Sequence, residues 1–139
     1  MLAVLWFDLM FDVQVLRLAP DADPGAAVAS IAAYYRRVTT KARPMNRLVA
    51  AAMVATVGCV VAQLARGEGP AWAAWTSLAL VVLPVSVAAR RTVPSAVRLG
   101  AEAESESEKL VLARSIGRDH VFCFACIALL LVVELAVAH

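Results

Sequence analysis

The chain has 139 residues, of which 62% are hydrophobic and 17% charged, with a formal net charge of +2 and a mean hydropathy of +0.76. A soluble domain usually carries about 45–50% apolar and about 25% charged residues, so the composition argues against a soluble core and for a polytopic membrane protein. The basic residues cluster beside apolar runs, which gives no footprint for nucleic acid, and three cysteines (Cys59, Cys123, Cys126) inside apolar runs make no disulfide framework.

The first apolar run, roughly 1–19, holds ten Leu, Val and Phe residues, yet Asp8 and Asp12 interrupt it four residues apart. That spacing puts both carboxylates on one helix face. An Asp at the centre of a membrane helix costs ~2.5–3.5 kcal/mol, while each Leu, Phe or Val returns ~0.3–0.6. The run is therefore marginal alone, and its acids must face the bundle, meet partners or be protonated. It lacks a basic start and a small-residue cleavage site, so it is not read as a cleavable signal.

PDADPG, from Pro20 to Gly25, reads as a turn that ends this helix. The stretch 26–44 carries small apolar residues, then Tyr34, Tyr35, Arg36 and Arg37. It suits an interfacial helix at an anionic leaflet, or an extension of the next span, with Pro44 marking a boundary.

The second run, roughly 48–65, contains Gly58, where another helix can approach closely, and ends at Gln63 and Arg66. The third, roughly 71–89, opens with Trp72 and Trp75, a pair that suits an aromatic belt. Thr76 and Ser77 lie near its start, and Pro84 inside it predicts a kink. Residues 90–120 are a charge-rich cytoplasmic connection, within which 101–120 read as a solvated helix where Glu104 and Glu108 repel at i,i+4. The fourth run, roughly 121–138, carries Cys123 and Cys126 in a C-x-x-C spacing, with His120 at its inner start and Glu134 near its outer end. A cysteine in an apolar run packs as a small hydrophobe, and no metal site is expected. His120 is expected to be an interface residue.

Each run approaches the roughly 20 residues needed to cross about 30 Å of hydrocarbon, which predicts an all-α, four-transmembrane-helix bundle forming one domain over 1–139. All Lys and Arg except Arg66 fall at 17–47 or 90–118. Positive-inside then places both long connections in the cytoplasm and both termini outside the inner membrane. A peripheral first run would also leave the C-terminus outside; its length and lipid-compatible residues favour four spans.

At ~1.5 Å per residue, Asp8 lies ~10 Å and Glu134 ~6–8 Å from the outer ends of their helices. Gln63, Thr76 and Ser77 fall at similar depth, with Arg66 just above. The expectation is a polar pocket opening outward, with Asp8, Asp12 and Glu134 as acid or base and Gln63, Arg66, Thr76 and Ser77 as ligand contacts. Three functions compete: a site for a small lipophilic ligand or substrate; a proton- or cation-coupled transport subunit acting as a homo-oligomer; and an accessory subunit of a larger membrane complex. The alternative reading of the acids is that they hydrate individually or glue helices, contacts that average only about 0.6 kcal/mol. No phosphate loop, dinucleotide fingerprint, zinc-protease helix or nucleophile elbow occurs, and the sequence names no cofactor.

Three segments, YYRRVTTKARPMNRLVAA, AARRTVPSAVRLG and SIGRDHVFCFACIA, together with the spacing of the spans, resemble small four-helix bacterial membrane proteins grouped with the anthrone-oxygenase-like family. The resemblance implies a four-helix membrane fold and a cofactor-free oxygenase or an unassigned activity. It maps no catalytic residue onto this sequence.

Overall fold

A computed structural model of the chain describes residues 1–19, 21–41, 43–101 and 104–138, with the backbone alone at 43–45. Among these residues the secondary structure is helical throughout: α1 (Leu2–Leu16), α2 (Gly25–Thr40), α3 (Arg43–Arg66), α4 (Ala71–Val87), a π-helical turn (Ala88–Thr92), α5 (Val93–Ala101) and α6 (Glu106–Val137). Three stretches are long and apolar enough to cross a membrane: Asn46–Arg66, the continuous Ala71–Ala101 and Glu106–Val137. At 1.5 Å per residue α1 is roughly 22 Å long, less than the hydrocarbon thickness.

Local chemistry sets most helix ends. Asp23 accepts from the Gly25 amide at 2.9 Å, which caps the start of α2; Pro20, the other end of the expected turn, lies outside the described residues. At the end of α3 the Gly67 amide bonds Leu64 O and the Glu68 amide bonds Gln63 O, both at 3.2 Å. This paired closure needs a left-handed residue after the helix, and Gly67, at φ +66°, supplies it. Pro70 then opens α4. Ser105 caps α6 in a reciprocal box with Glu108.

The stretch 26–44 is not an extension of the second span. It breaks between Thr40 and Arg43, with Pro44 in the first turn of α3, where its missing amide is not needed. Asn46 Nδ2 ties the new helix back to Val38 O at 2.7 Å. In α2, Val28, Ile31, Ala32 and Tyr35 are buried, the i, i+3, i+4, i+7 stripe of an amphipathic helix.

The apolar packing divides into two cores. One joins Val28, Ile31 and Tyr35 of α2 to Val15, to Ala96 and Leu99 of α5, and to Ala113 and Ile116 of α6. The other joins Val60, Val81, Ile127 and Leu130, with Met1, Leu2 and Leu5 against it. The first half of α6 is therefore one wall of a packed layer, and the expectation of a solvated helix at 101–120 is corrected. Glu104 is not on that helix either: it precedes the Ser105 cap and pairs with Arg98 at 2.7 Å. The cause is the helical spacing of Ala113, Ile116, Gly117 and His120, which gives α6 a buried face there too.

Two glycines hold the helices close. A Cβ on Gly117 would meet Leu16 at 3.1 Å and the Asp12 Cβ at 3.2 Å, and one on Gly100 would meet the Arg36 backbone at 3.0 Å. Gly58, expected at a close approach, has nothing within 4 Å. Much of α3 is exposed: Leu48, Val54 and Val61 face outward, as do Trp72 and Trp75 on α4 and Trp6, Phe7 and Met10 on α1. Such faces suit lipid. Pro84 is buried within α4, the helix continues through it, and its ladder changes to the wider π form one turn later.

Candidate functional site

Between the two cores lies a layer of polar side chains. α1 runs antiparallel to α6, with Trp6 beside Phe124 and Asp12 beside His120. This pairing brings the acidic face of α1 onto the α6 position where charge gives way to the apolar run. His120 Nδ1 lies 2.6 Å from Asp12 Oδ2. The Tyr35 hydroxyl donates to Asp12 Oδ1 at 2.9 Å and lies 3.4 Å from the same imidazole nitrogen. The Tyr34 hydroxyl donates to Asp8 Oδ1 at 2.6 Å. His120 Nε2 stands 4.0 Å from Asp8 Oδ2, beyond hydrogen-bond length.

Asp12 is fully buried, and both its oxygens are engaged by donors from two helices. That is the environment of a carboxylate that fixes an imidazole: the Nδ1 proton faces Asp12, and Nε2 is left to exchange a proton elsewhere. Burial first, then the neighbouring carboxylates, pushes the Tyr34 and Tyr35 phenols above their ordinary range, so both remain protonated donors. Phe11 stacks on Tyr34 with centroids 4.1 Å apart, which holds that ring in place.

The layer opens into a cleft of about 650 Å³. Asp8, Tyr34, Tyr35 and His120 line one part of it. Leu5, Val49, Met53, Pro84, Val85 and Ile127 are among the apolar residues lining the rest. The volume falls within the roughly 300–1,000 Å³ of small-molecule sites, which combine apolar walls with a few convergent polar groups. The π turn borders the cleft, and from it Thr92 donates to Asp119 Oδ2 at 3.3 Å while Arg91 pairs with Asp119 at 3.4 Å.

The residues expected to share one outer pocket lie in two places. Glu134 accepts from Ser77 at 2.6 Å and from Gln63 at 3.1 Å. Together with Glu68 and Gly69, Gln63 and Glu134 line a smaller cavity of about 240 Å³. Arg66 is exposed and bonds Ala62 O and Glu68. Thr76, about 100° round the helix from Ser77, is partly buried and does not line that cavity. Asp8 and Asp12 belong to the His120 layer instead. Glu134 and His120 are 14 positions apart on α6, or roughly 21 Å along its axis. Depth counted from helix ends misleads here because α1 is shorter than its partners and packs beside the inner part of the α6 apolar run. Cys123 and Cys126 are buried while Cys59 is exposed; Cys123 donates to Pro84 O at 3.7 Å, and the three thiols form no common set.

Tyr34, Tyr35 and His120 were read from sequence as interfacial residues. The signal that reaches them is the shared face of Asp8 and Asp12, which demands donors from neighbouring helices without naming them. No family model matches this chain, and neither a curated protein nor a solved structure is significantly similar to it.

Proposed function

We propose that this chain is an integral membrane protein whose cleft holds a small lipophilic ligand or substrate. In this reading His120 transfers a proton, Asp12 orients the imidazole, and Asp8 and Tyr34 meet the ligand's polar end. The observation that carries it is a nearly buried histidine, backed by a fully buried carboxylate, on the wall of a largely apolar cleft of about 650 Å³. An imidazole fixed on one nitrogen by a carboxylate is set up for acid–base chemistry on the other. Proton transfer is the component that an oxygenase-like reaction, as the sequence resemblance implies, would share with other reactions of lipophilic substrates.

In this reading α1 lies in the bilayer as a fourth membrane helix, since Trp6, Phe7 and Met10 are exposed on it. The amphipathic α2 and α5 lie at the cytoplasmic leaflet beside most of the Lys and Arg, both termini face outward, and the membrane is the inner one. The test is native mass spectrometry of the protein released gently from its membrane. The expected result is a bound lipophilic mass that disappears in His120→Ala; a protein that flies bare whatever the release conditions would sink the proposal.

A second reading is proton- or cation-coupled transport by a homo-oligomer. What favours it is the second polar cluster, Glu134 with Gln63 and Ser77, 14 positions further along the same helix than His120. Proton uptake into vesicles that stops in Glu134→Gln as well as in Asp8→Asn supports this reading, because the ligand cleft alone does not involve Glu134.

A further inference from the structure

Resting on the cleft as the ligand site, we infer that its occupant is a lipophilic cation: an amine or onium group carried on an apolar body. The layer at the cleft wall holds two carboxylates, Asp8 and Asp12, against a single imidazole. With His120 protonated and both acids ionised, one negative charge is left over. With Asp8 protonated, an incoming cation can take the place of its proton. In neither state does the layer offer a net positive charge to an anion, and no Lys or Arg lines the cleft among the described residues.

Geometry selects Asp8 as the contact. Asp12 is fully buried, with both oxygens occupied by Tyr35 and His120, and it does not line the cleft. Asp8 lines it, and accepts from Tyr34 on Oδ1 only. Its Oδ2 faces Nε2 across 4.0 Å, a separation too long for a hydrogen bond. Tyr34 and Tyr35 also line the cleft, and neither adds a positive charge to it. The remaining polar lining near this layer, Thr39, Thr92 and Asn46, is neutral. Asp119, at the same level, is already matched by Arg91. The apolar walls then accommodate the body that carries the charge. A fatty acid or a lipophilic phosphate ester has the same apolar body, but its head would meet two carboxylates set against one imidazole.

Tetraphenylphosphonium and tetraphenylborate have nearly the same shape and opposite charge, which isolates the sign of the ligand. The full chain in detergent is dialysed against each ion, and the saturable part of the uptake is taken as that displaced by excess of the same unlabelled ion. The expected result is saturable tetraphenylphosphonium binding, at least about ten-fold weaker in Asp8→Asn, with no saturable binding of tetraphenylborate. The wild-type comparison of the two ions stands even if Asp8→Asn does not fold. Equal saturable binding of both ions overturns the cation inference and leaves the lipophilic cleft; saturable binding of neither overturns both.

Discussion

His120 and Asp12 are 108 residues apart in sequence and 2.6 Å apart in space, so their contact exists only when α1 packs on α6. Removing one member of a buried, hydrogen-bonded charge pair leaves the other stranded, at a cost of about 3–5 kcal/mol. Asp12→Ala is therefore expected to lower stability by about that much in a detergent unfolding titration. Asp12→Asn, which still accepts a hydrogen bond, is expected to cost less. Tyr35→Phe removes one donor to the same carboxylate and is expected to cost about 1–3 kcal/mol. An Asp12→Ala protein as stable as the wild type would mean that α1 does not dock on α6 as described. At this scale the sequence was half legible: Asp8 and Asp12 announced a shared face, but nothing in the local chain tied them to Tyr34, Tyr35 or His120.

Helix packing turns on the glycines that touch a neighbour. Gly100→Ala and Gly117→Ala place a methyl group 3.0–3.2 Å from atoms of the facing helix, and overpacking of this kind costs about 1–3 kcal/mol. Gly58→Ala meets nothing within 4 Å and is expected to be neutral or to stabilise α3 by about 0.5–1 kcal/mol. Thermal unfolding of the three variants side by side checks the order, and a Gly117→Ala protein as stable as Gly58→Ala would contradict the α1–α6 contact. A separate expectation concerns the start of α6. Hydrogen bonds from the Ser105 hydroxyl and amide hold the Glu108 carboxyl below the ordinary glutamate range. A depressed acid stabilises the fold above its unfolded pKa, and that contribution fades as pH falls through its folded one. Protection of the amides at the start of α6, relative to intrinsic exchange at the same pH, is thus expected to fall as pH drops below the ordinary glutamate range, and Ser105→Ala is expected to show lower protection already at neutral pH.

The whole molecule stacks two apolar cores with a polar layer between them. The lower core, built from α2, α5 and the first half of α6, explains why the connections between spans are more than loops. In the membrane reading proposed above, it gives the basic residues a fixed scaffold at one face of the bilayer. The sidedness proposed above predicts that single cysteines at Asp23 and Glu106, in a background without Cys59, Cys123 and Cys126, react with an impermeant thiol reagent only from the cytoplasmic side. Cysteines at Gly67 and Ala138 are expected to react only from the outside. Labelling of Asp23→Cys and Gly67→Cys from the same side would reverse the assignment of α3.

Composition and charge pattern alone were enough to identify a helical chain with membrane-spanning segments, because hydrocarbon leaves backbone groups no partner except their own helix. The break between α1 and α2 ahead of Gly25 was also readable, since turns depend on near neighbours in the chain. The bounds of α1 and the separation of Glu134 from Asp8 were not, because depth depends on how a short helix slides along a long one. The same holds for His120, whose role changes from an interfacial side chain to the centre of the site. Its surroundings come from α1 and α2, and only the packing of those helices against α6 delivers a carboxylate and a phenol to its ring.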